Sequence, residues 1–135
     1  MLTLYNFFCY LNYPLWVFTL KIRRIKGKEH KTRYKEKLGI GLPTPPKKNV
    51  IWVNALGLGE TLSLTFFLQE LATKFNNHTI LFTSSTLQSQ LALEKIPLRK
   101  NIIHQFSPVD NHYAVNRFLK HWNPKISLFS ELDIW

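Results

Sequence analysis

Short apolar runs alternate with longer amphipathic stretches through the C-terminal two thirds of the chain. The short runs are rich in β-branched and aromatic residues and cover residues 49–54, 79–83, 101–106 and 125–130. Such runs are typical of strands in a sheet. The stretches between them repeat apolar side chains every three or four positions and cover residues 61–75, 85–96 and 111–122. That spacing predicts three helices.

This strand–helix alternation predicts an α/β fold with a parallel sheet and helices on its faces. The strands are continuously apolar, as expected when both faces of the sheet are covered. Ligands of such sheets bind beyond the carboxyl ends of the strands. The segments at that edge are residues 54–60, 84–86, 107–110 and 130–133. We therefore look for a functional site in these segments.

The N-terminal residues 2–20 are almost wholly apolar and carry no charge. About 20 such residues can span a bilayer as a helix, while Pro14 with Asn6 and Asn12 also fits a helix lying in the interface. Both arrangements predict an N-terminal membrane-associated helix over residues 1–20. A buried core helix followed by a solvated charged helix is the alternative that the pattern leaves open.

The net charge of +10 is concentrated directly after this apolar stretch. The basic residues of this belt are Lys21, Arg23, Arg24, Lys26, Lys28, Lys31, Arg33, Lys35, Lys37, Lys47 and Lys48. Juxtamembrane Lys and Arg favour the cytoplasmic side and attract anionic lipid. The belt matches no nucleic-acid module and lacks interleaved aromatic residues. We expect an anionic membrane surface as the partner, not a nucleic acid.

Composition restricts the domain organisation and the chemistry. The 135 residues suffice for about one domain, and the hydrophobic content of 45% excludes a disordered chain. Cys9 is the single cysteine, so no internal disulfide can form. The five histidines show no metal-ligand spacing, and neither a metal nor a cofactor is expected. We predict an anchor helix (residues 1–20), a basic segment with a Gly- and Pro-rich linker (21–48), and an α/β domain (49–135).

The turn after the first predicted strand holds the main candidate for chemistry, Glu60, in the sequence Gly-Leu-Gly-Glu. A dinucleotide fingerprint would need a third glycine where Leu62 stands, and a P-loop would need Lys where Glu60 stands. A carboxylate at a helix start is kept ionised by nearby backbone N–H groups, and it can accept a proton from a bound sugar hydroxyl. Gly57 and Gly59 would let a ligand approach closely. The alternative is that Glu60 only complements the helix dipole.

Two further acids lie at the same edge of the predicted sheet. Glu131 follows the fourth strand, so a pair with Glu60 would form a polar cleft for hydroxyls or cations. Asp110 is expected to cap the third helix.

Four motifs in order resemble a known family. They are Asn-Ala-Leu-Gly-Leu-Gly-Glu at 54–60, Pro-Val-Asp at 108–110, Arg-Phe-Leu at 117–119 with Pro124, and Ser-Glu-Leu at 130–132. They resemble the N-terminal half of the 3-deoxy-D-manno-octulosonic acid (Kdo) transferases of Gram-negative bacteria. The resemblance implies two Rossmann-like domains in the GT-B arrangement. It also implies transfer of Kdo from CMP-Kdo to the lipid A precursor, at the cytoplasmic face of the inner membrane.

The resemblance assigns roles to individual positions. Glu60 falls on the proposed general base, and Glu131 on a helper in the transition state or the structure. The implied acceptor contacts are Asn54, Gly57, Gly59, Ser84, Thr86, Lys21, Arg23 and Arg24. The family usually has His where Asn54 stands, Ser where Gly57 stands and Glu where Phe129 stands.

By the same resemblance, residues 49–135 are a truncated acceptor domain without the CMP-Kdo-binding half. CMP-Kdo would then be held by a missing C-terminal domain or a separate chain. Two hypotheses follow. The chain is the acceptor half of a Kdo transferase, or it is a non-catalytic membrane-attached remnant or lipid-binding module.

Overall fold

A computed structural model describes residues 2–130, with side chains from residue 4 onward. The elements, in chain order, are α1 (Leu2–Ile25), a 3-10 helix (Arg33–Leu38), β1 (Val50–Asn54), α2 (Leu58–Ser63), α3 (Thr65–Lys74), β2 (Thr79–Ser84), α4 (Leu87–Leu93), β3 (Ile102–Phe106), α5 (His112–Trp122) and β4 (Ile126–Phe129). The four predicted strands are all present.

The four strands form one parallel sheet in the order β3-β2-β1-β4. Val53 of β1 is paired with Phe82 of β2 on one side and with Leu128 of β4 on the other. The α/β prediction with a parallel sheet is therefore confirmed. The chain moves outward from β1 to β2 and β3, and then crosses to the other side of β1. Such a reversal leaves a crevice at the carboxyl ends of the two strands that flank it, here β1 and β4.

Successive residues of β1 point to opposite faces of the sheet, and both faces are covered. One face packs against α3 and α4 through buried residues that include Ile51, Val53, Leu68 and Leu93. The other face packs against α5 through Val50, Trp52, Leu81, Phe118 and Trp122. Burying each large apolar side chain contributes roughly 1.5–3 kcal/mol. These two layers hold the carboxyl edge of the sheet in place.

The predicted helix over residues 61–75 is divided into α2 and α3 at Leu64. The hydroxyl of Ser63 donates to the main-chain carbonyl of Glu60 (2.9 Å), and the hydroxyl of Thr65 donates to that of Leu62 (2.7 Å). Serine and threonine bonds of this kind compete with the helical hydrogen bonds and bend helices. The division leaves Glu60 on a short helix next to β1.

The predicted capping role of Asp110 is wrong, because Asn111 caps α5 instead. The side-chain oxygen of Asn111 accepts a hydrogen bond from the backbone N–H of Tyr113 (3.0 Å), and its amide donates to the carbonyl of Cys9 in α1 (2.9 Å). Asn111 is buried while Asp110 is exposed. The cap thus also fastens α1 to the domain.

Helix α1 is longer than predicted and packs along one side against the domain. Its residues Tyr13, Trp16, Val17 and Leu20 form a cluster with the 3-10 helix and with Val109. The exposed apolar residues of α1 include Leu4, Phe7, Phe8, Leu11, Leu15 and Phe18. In the part of the chain that the structure describes, no helix combines the length and the apolarity needed to cross a membrane.

The basic belt is not solely a solvated surface. Nine of its eleven residues are exposed, but Lys37 is buried and Arg33 is half-buried. The Lys37 ammonium lies 2.6 Å from the buried carboxylate of Glu29 and donates to the carbonyl of Ser85 (2.8 Å). The belt therefore reaches the loop after β2 and contributes to the fold.

The 3-10 helix covers the free edge of the sheet at β3. The Glu36 carboxylate accepts the backbone N–H of Phe106 (3.1 Å), and Arg33 donates to the carbonyl of His104 (2.9 Å). Arg33 and Glu36 also form a two-bond ion pair, with distances of 2.7 and 3.1 Å. Covering an edge strand in this way prevents its pairing with other chains.

Candidate functional site

The site lies at the reversal point of the sheet, where Glu60 and Ser130 meet. Glu60 follows β1 by a glycine-containing turn, and Ser130 directly follows β4. The Ser130 hydroxyl donates to Oε2 of Glu60 (2.5 Å), and its backbone N–H donates to the carbonyl of Asn54 (3.1 Å). The two segments are thus joined at the edge where the sequence predicted a functional site.

Hydrogen bonds hold Glu60 in its ionised form. The Ser130 hydroxyl contributes most, and the backbone N–H of Leu56, 3.0 Å from Oε2, contributes next, so that the pKa of the Glu60 carboxyl lies below its usual range. Neither of these bonds uses Oε1. The site therefore presents a carboxylate that is charged at neutral pH.

The two glycines of the turn face open space. A Cβ atom placed on Gly57 or Gly59 would meet nothing within 4 Å. Neither residue has the positive φ angle that requires glycine, since Gly57 has a φ of −109°. Neither the backbone conformation nor the packing within the described residues requires glycine at positions 57 and 59. The predicted close approach of a ligand to Gly57 and Gly59 stays a prediction.

Asn54 anchors a buried polar network at the ends of three strands. Its Oδ1 accepts hydrogen bonds from the hydroxyl of Thr83 (2.7 Å) and from the hydroxyl of Ser107 (2.9 Å). The Thr83 hydroxyl in turn accepts the indole N–H of Trp52 (2.8 Å). Buried polar groups that are fully paired give a rigid arrangement. The side-chain oxygen of Asn54 is therefore held in place at the carboxyl ends of β1 and β2.

Ser84 and Thr86 build the loop after β2. The hydroxyl of Ser84 is fully buried and lies 2.9 Å from Nε2 of His104. Thr86 caps α4 by accepting the backbone N–H of Ser89 (3.2 Å). The acceptor contacts predicted for both residues stay predictions, since their hydroxyls are engaged within the protein.

His104 is neutral in this surrounding. Burial, followed by the nearby charge of Arg33, lowers the pKa of His104 to about 3. Nη2 of Arg33 lies 3.5 Å from Nδ1, and a guanidinium can only donate. Nδ1 is therefore the acceptor nitrogen, and Nε2–H donates to Ser84.

The predicted basic contacts lie at the C-terminal end of α1. Arg23 pairs with Glu29 (2.7 Å), and Arg24 stacks over the ring of Tyr34 at 4.9 Å. Lys21 is exposed. Because Glu29 also pairs with Lys37, a chain of ion pairs leads from Arg23 to the loop after β2.

Sequence reasoning placed Ser107 and Ser130 in the edge segments but gave them no individual role, and it missed Thr83 and the role of Trp52. Strand periodicity was the available signal for one of them, because Trp52 and Asn54 alternate onto the same face of β1. Thr83 is directly opposite Asn54 in the register of β1 and β2. The register itself could not be read from the pattern.

Glu131 lies outside the described residues, so its predicted role stays a prediction. Among residues 2–130, no three or more His, Cys, Asp or Glu side chains are placed to hold a metal ion.

The fold defines an α/β domain with a cluster of polar side chains at the reversal point of a parallel sheet. A sequence model described as "3-Deoxy-D-manno-octulosonic-acid transferase (kdotransferase)" matches residues 32–135. The chain belongs to this family of glycosyltransferases and corresponds to their N-terminal domain. The resemblance drawn from the residues is thereby confirmed.

Individual relatives carry the same name. The chain is 32% identical over 132 residues to a probable mitochondrial 3-deoxy-D-manno-octulosonic acid transferase of Arabidopsis thaliana, covering 98% of this chain and 29% of that protein. It is 31% identical over 135 residues to the transferase of Rickettsia bellii, covering 100% of this chain and 32% of that protein. Identity to the Haemophilus influenzae transferase is 23% over 123 residues, covering 90% of this chain and 29% of that protein.

The chain thus spans about a third or less of the length of these curated relatives. No solved structure matches it.

Proposed function

We propose that this chain is the acceptor half of a Kdo transferase, the N-terminal half of a GT-B fold. It receives the lipid A precursor, while CMP-Kdo is held by a further domain or a separate chain. The observation that carries the proposal is the ionised Glu60 held by Ser130 at the reversal point of the sheet. The match of the domain to the family supports it.

In this proposal Glu60 acts as the general base. A hydroxyl of the acceptor sugar attacks the anomeric carbon of Kdo, its proton passes to Glu60, and the bond from that carbon to the CMP phosphate oxygen breaks. The lowered pKa makes Glu60 a weak base in the free protein. It therefore takes the proton late, when the forming bond has made the hydroxyl acidic.

Exposed apolar side chains near Glu60 support a lipid-borne acceptor. Leu58 and Leu62 stand on the same short helix as Glu60, and Phe66 follows at the start of α3 with 76% of its surface exposed. Exposed apolar clusters of this kind mark binding surfaces. We infer that they contact the lipid part of the acceptor.

The exposed side of α1 and the nine exposed basic residues support attachment to an anionic membrane surface. An amphipathic helix with adjacent Lys and Arg binds in the interface plane of such a membrane. Lys21, Arg23 and Arg24 would then lie near acceptor phosphates. In this proposal the protein works at the inner membrane, on its cytoplasmic face.

Glu60→Gln tests the base assignment. The wild-type chain is combined with the remainder of the Rickettsia bellii relative, supplied as a second polypeptide, and Kdo transfer from CMP-Kdo to the lipid A precursor is followed. We expect the substitution to lower the rate by roughly 10²-fold or more. Glu70→Gln, exposed on α3, is the matched control and should retain activity. Unchanged transfer by the Glu60→Gln protein would refute the assignment.

A non-catalytic lipid-binding module is the second candidate, favoured by the exposed apolar side chains of Leu58, Leu62 and Phe66. It predicts binding of the lipid A precursor without transfer in the combined assay. Transfer by the wild-type combination excludes this candidate.

A further inference from the structure

A groove with aromatic walls lies between α1 and α5. It is lined by three tyrosines, one proline and one arginine, namely Tyr10, Tyr13, Pro14, Tyr113 and Arg117. Its volume is about 320 Å³, which is at the lower end of the range for sites that hold small molecules. The ring of Tyr113 lies edge-on to both other rings, with centroid distances of 6.2 Å to Tyr10 and 6.3 Å to Tyr13. The two helices thus form the groove together.

Hydrogen-bond donors are left over along this groove. Nη1 of Arg117 donates to the hydroxyl of Tyr13 (3.0 Å) and to the carbonyl of Leu38 (3.4 Å). Because a guanidinium can only donate, the Tyr13 hydroxyl is the acceptor in this pair and keeps its own proton for a ligand. Both bonds of Arg117 use Nη1, so Nη2 and Nε remain as donors. The groove therefore suits a ligand whose oxygens accept hydrogen bonds.

The groove carries one positive charge, and no carboxylate lines it. Among residues 4–130, Arg117 forms no ion pair. Asp110 lines a separate depression along α1. A phosphodiester complements the groove, because its oxygens only accept hydrogen bonds and its single negative charge matches that of Arg117.

The groove borders the exposed apolar residues of α1. Residues three and four positions apart are neighbours on a helix. Phe7 therefore lies beside Tyr10, and Phe18 lies one turn beyond Pro14. Tyr10 is itself 69% exposed, and tyrosine rings favour the headgroup level of a membrane. A phospholipid matches this surface better than a free phosphate does, because it supplies a phosphodiester and apolar chains side by side.

We propose that this groove binds the headgroup of one anionic phospholipid, with the phosphodiester held by Arg117 and by the hydroxyls of Tyr10 and Tyr13. The acyl chains then lie along the exposed apolar residues of α1. The inference rests on the membrane attachment in the proposed function and adds a specific lipid site to it. It gives the Arg-Phe-Leu motif at 117–119 a role separate from that of Glu60.

The test uses dihexanoyl phosphatidylglycerol, kept below its micelle concentration, as a probe. A single soluble lipid offers no charged bilayer surface that would attract the basic belt as a whole. Binding to the chain is followed by NMR, through saturable shifts of the ring protons of Tyr10 and Tyr113. Dihexanoyl phosphatidylcholine lacks the net charge and inorganic phosphate lacks the acyl chains, so each should bind roughly tenfold more weakly. Equal binding of either compound would overturn the inference.

Two substitutions remove the proposed contacts one at a time. Tyr10→Phe keeps the ring and removes only the hydroxyl, so the affinity should fall about fivefold, as for one lost hydrogen bond. Tyr5→Phe makes the same change in the separate depression and is its matched control. Arg117→Gln should lower the affinity by about tenfold or more. Lys120→Gln removes the same charge from an exposed position of α5 outside the groove and should stay within about twofold of the wild type.

The outcomes separate the inference from the proposed function. Sedimentation with vesicles of phosphatidylglycerol and phosphatidylethanolamine measures attachment of the whole chain. Vesicle binding by the wild type, together with unchanged probe affinity in Tyr10→Phe, would overturn the lipid site alone. A purely structural role of Arg117 would lower the melting temperature of Arg117→Gln and leave its probe affinity unchanged below that temperature, which would also overturn the site. Failure of the wild-type chain to sediment with the vesicles would overturn the membrane attachment, and the inference with it.

Discussion

Hydroxyl groups contact two side chains with shifted pKa values, Glu60 and His104, near the carboxyl edge of the sheet. Ser130 donates to Glu60 and lowers the pKa of its carboxyl, whereas Ser84 accepts from a His104 kept neutral by burial. A hydroxyl can serve both because it donates and accepts. A small uncharged residue therefore favours the charged state of Glu60, whereas burial and the charge of Arg33 keep His104 neutral.

Ser130→Ala should raise the pKa of Glu60 toward its ordinary value, because the largest cause of the lowered pKa is removed. An NMR titration of the Glu60 side chain measures this. Ser63→Ala is the matched control, since its hydroxyl binds only the main-chain oxygen of Glu60 (2.9 Å). An equal pKa of Glu60 in wild type and Ser130→Ala would contradict the assignment.

The same shift fixes the sign of a pH effect on stability. Folding lowers the pKa of the Glu60 carboxyl. Its contribution to the free energy of unfolding is therefore fully present above the pKa that Glu60 has in the unfolded chain. This contribution is lost as the pH falls through the lower pKa of the folded protein. Ser130→Ala should flatten this acid-side loss of the free energy of unfolding.

At the scale of elements, the strands could be predicted and the basic segment could not. β1 and β2 are buried at every position, so apolar runs mark them directly. The basic segment has the composition of a solvated stretch, yet its two acids, Glu29 and Glu36, are both buried in ion pairs. The net charge of a segment does not show which of its charged side chains are paired and buried.

The candidate site was predictable to a similar degree. Glu60 stands out because a glycine turn follows an apolar run. The contacts of Ser107 and Ser130 depend on how separate strands align, and no local pattern contains that alignment. The break between α2 and α3 at Leu64 could not be predicted, because the helical spacing of apolar residues continues across Leu64.

Glu36→Ala tests the cover on β3. The substitution leaves Arg33 and the backbone N–H of Phe106 without their partner. We expect the free energy of unfolding in urea to fall by about 3 kcal/mol, as for a broken buried ion pair. Lys35→Ala, exposed on the same 3-10 helix, should change it by about 0.5 kcal/mol or less. Equal losses in the two variants would show that the cover contributes little.

At the scale of the whole molecule, apolar and basic surfaces are adjacent. The exposed apolar residues of α1 precede the exposed belt along the chain, and the rest of the chain is close to neutral. An anionic membrane offers both an apolar interior and a negative surface.

Phe7→Ser and Phe18→Ser test this attachment, since each residue is 62% exposed. Binding to vesicles of phosphatidylglycerol and phosphatidylethanolamine should fall roughly tenfold for each, from the lost burial of one aromatic ring. Phe75→Ser, 36% exposed at the end of α3, is the control. Equal binding to neutral phosphatidylcholine vesicles would rule out the contribution of the belt.

Strand β4 gives Glu60 a further property. It is exposed at all four positions, although strands in such sheets are normally covered on both faces. Ser130, whose hydroxyl lowers the pKa of Glu60, directly follows this exposed strand. Anything that docks on β4 and steadies it makes Glu60 more acidic, and by reciprocity the loss of the Glu60 proton strengthens that docking. The pKa of the Glu60 carboxyl thus depends on how firmly β4 is held beside β1.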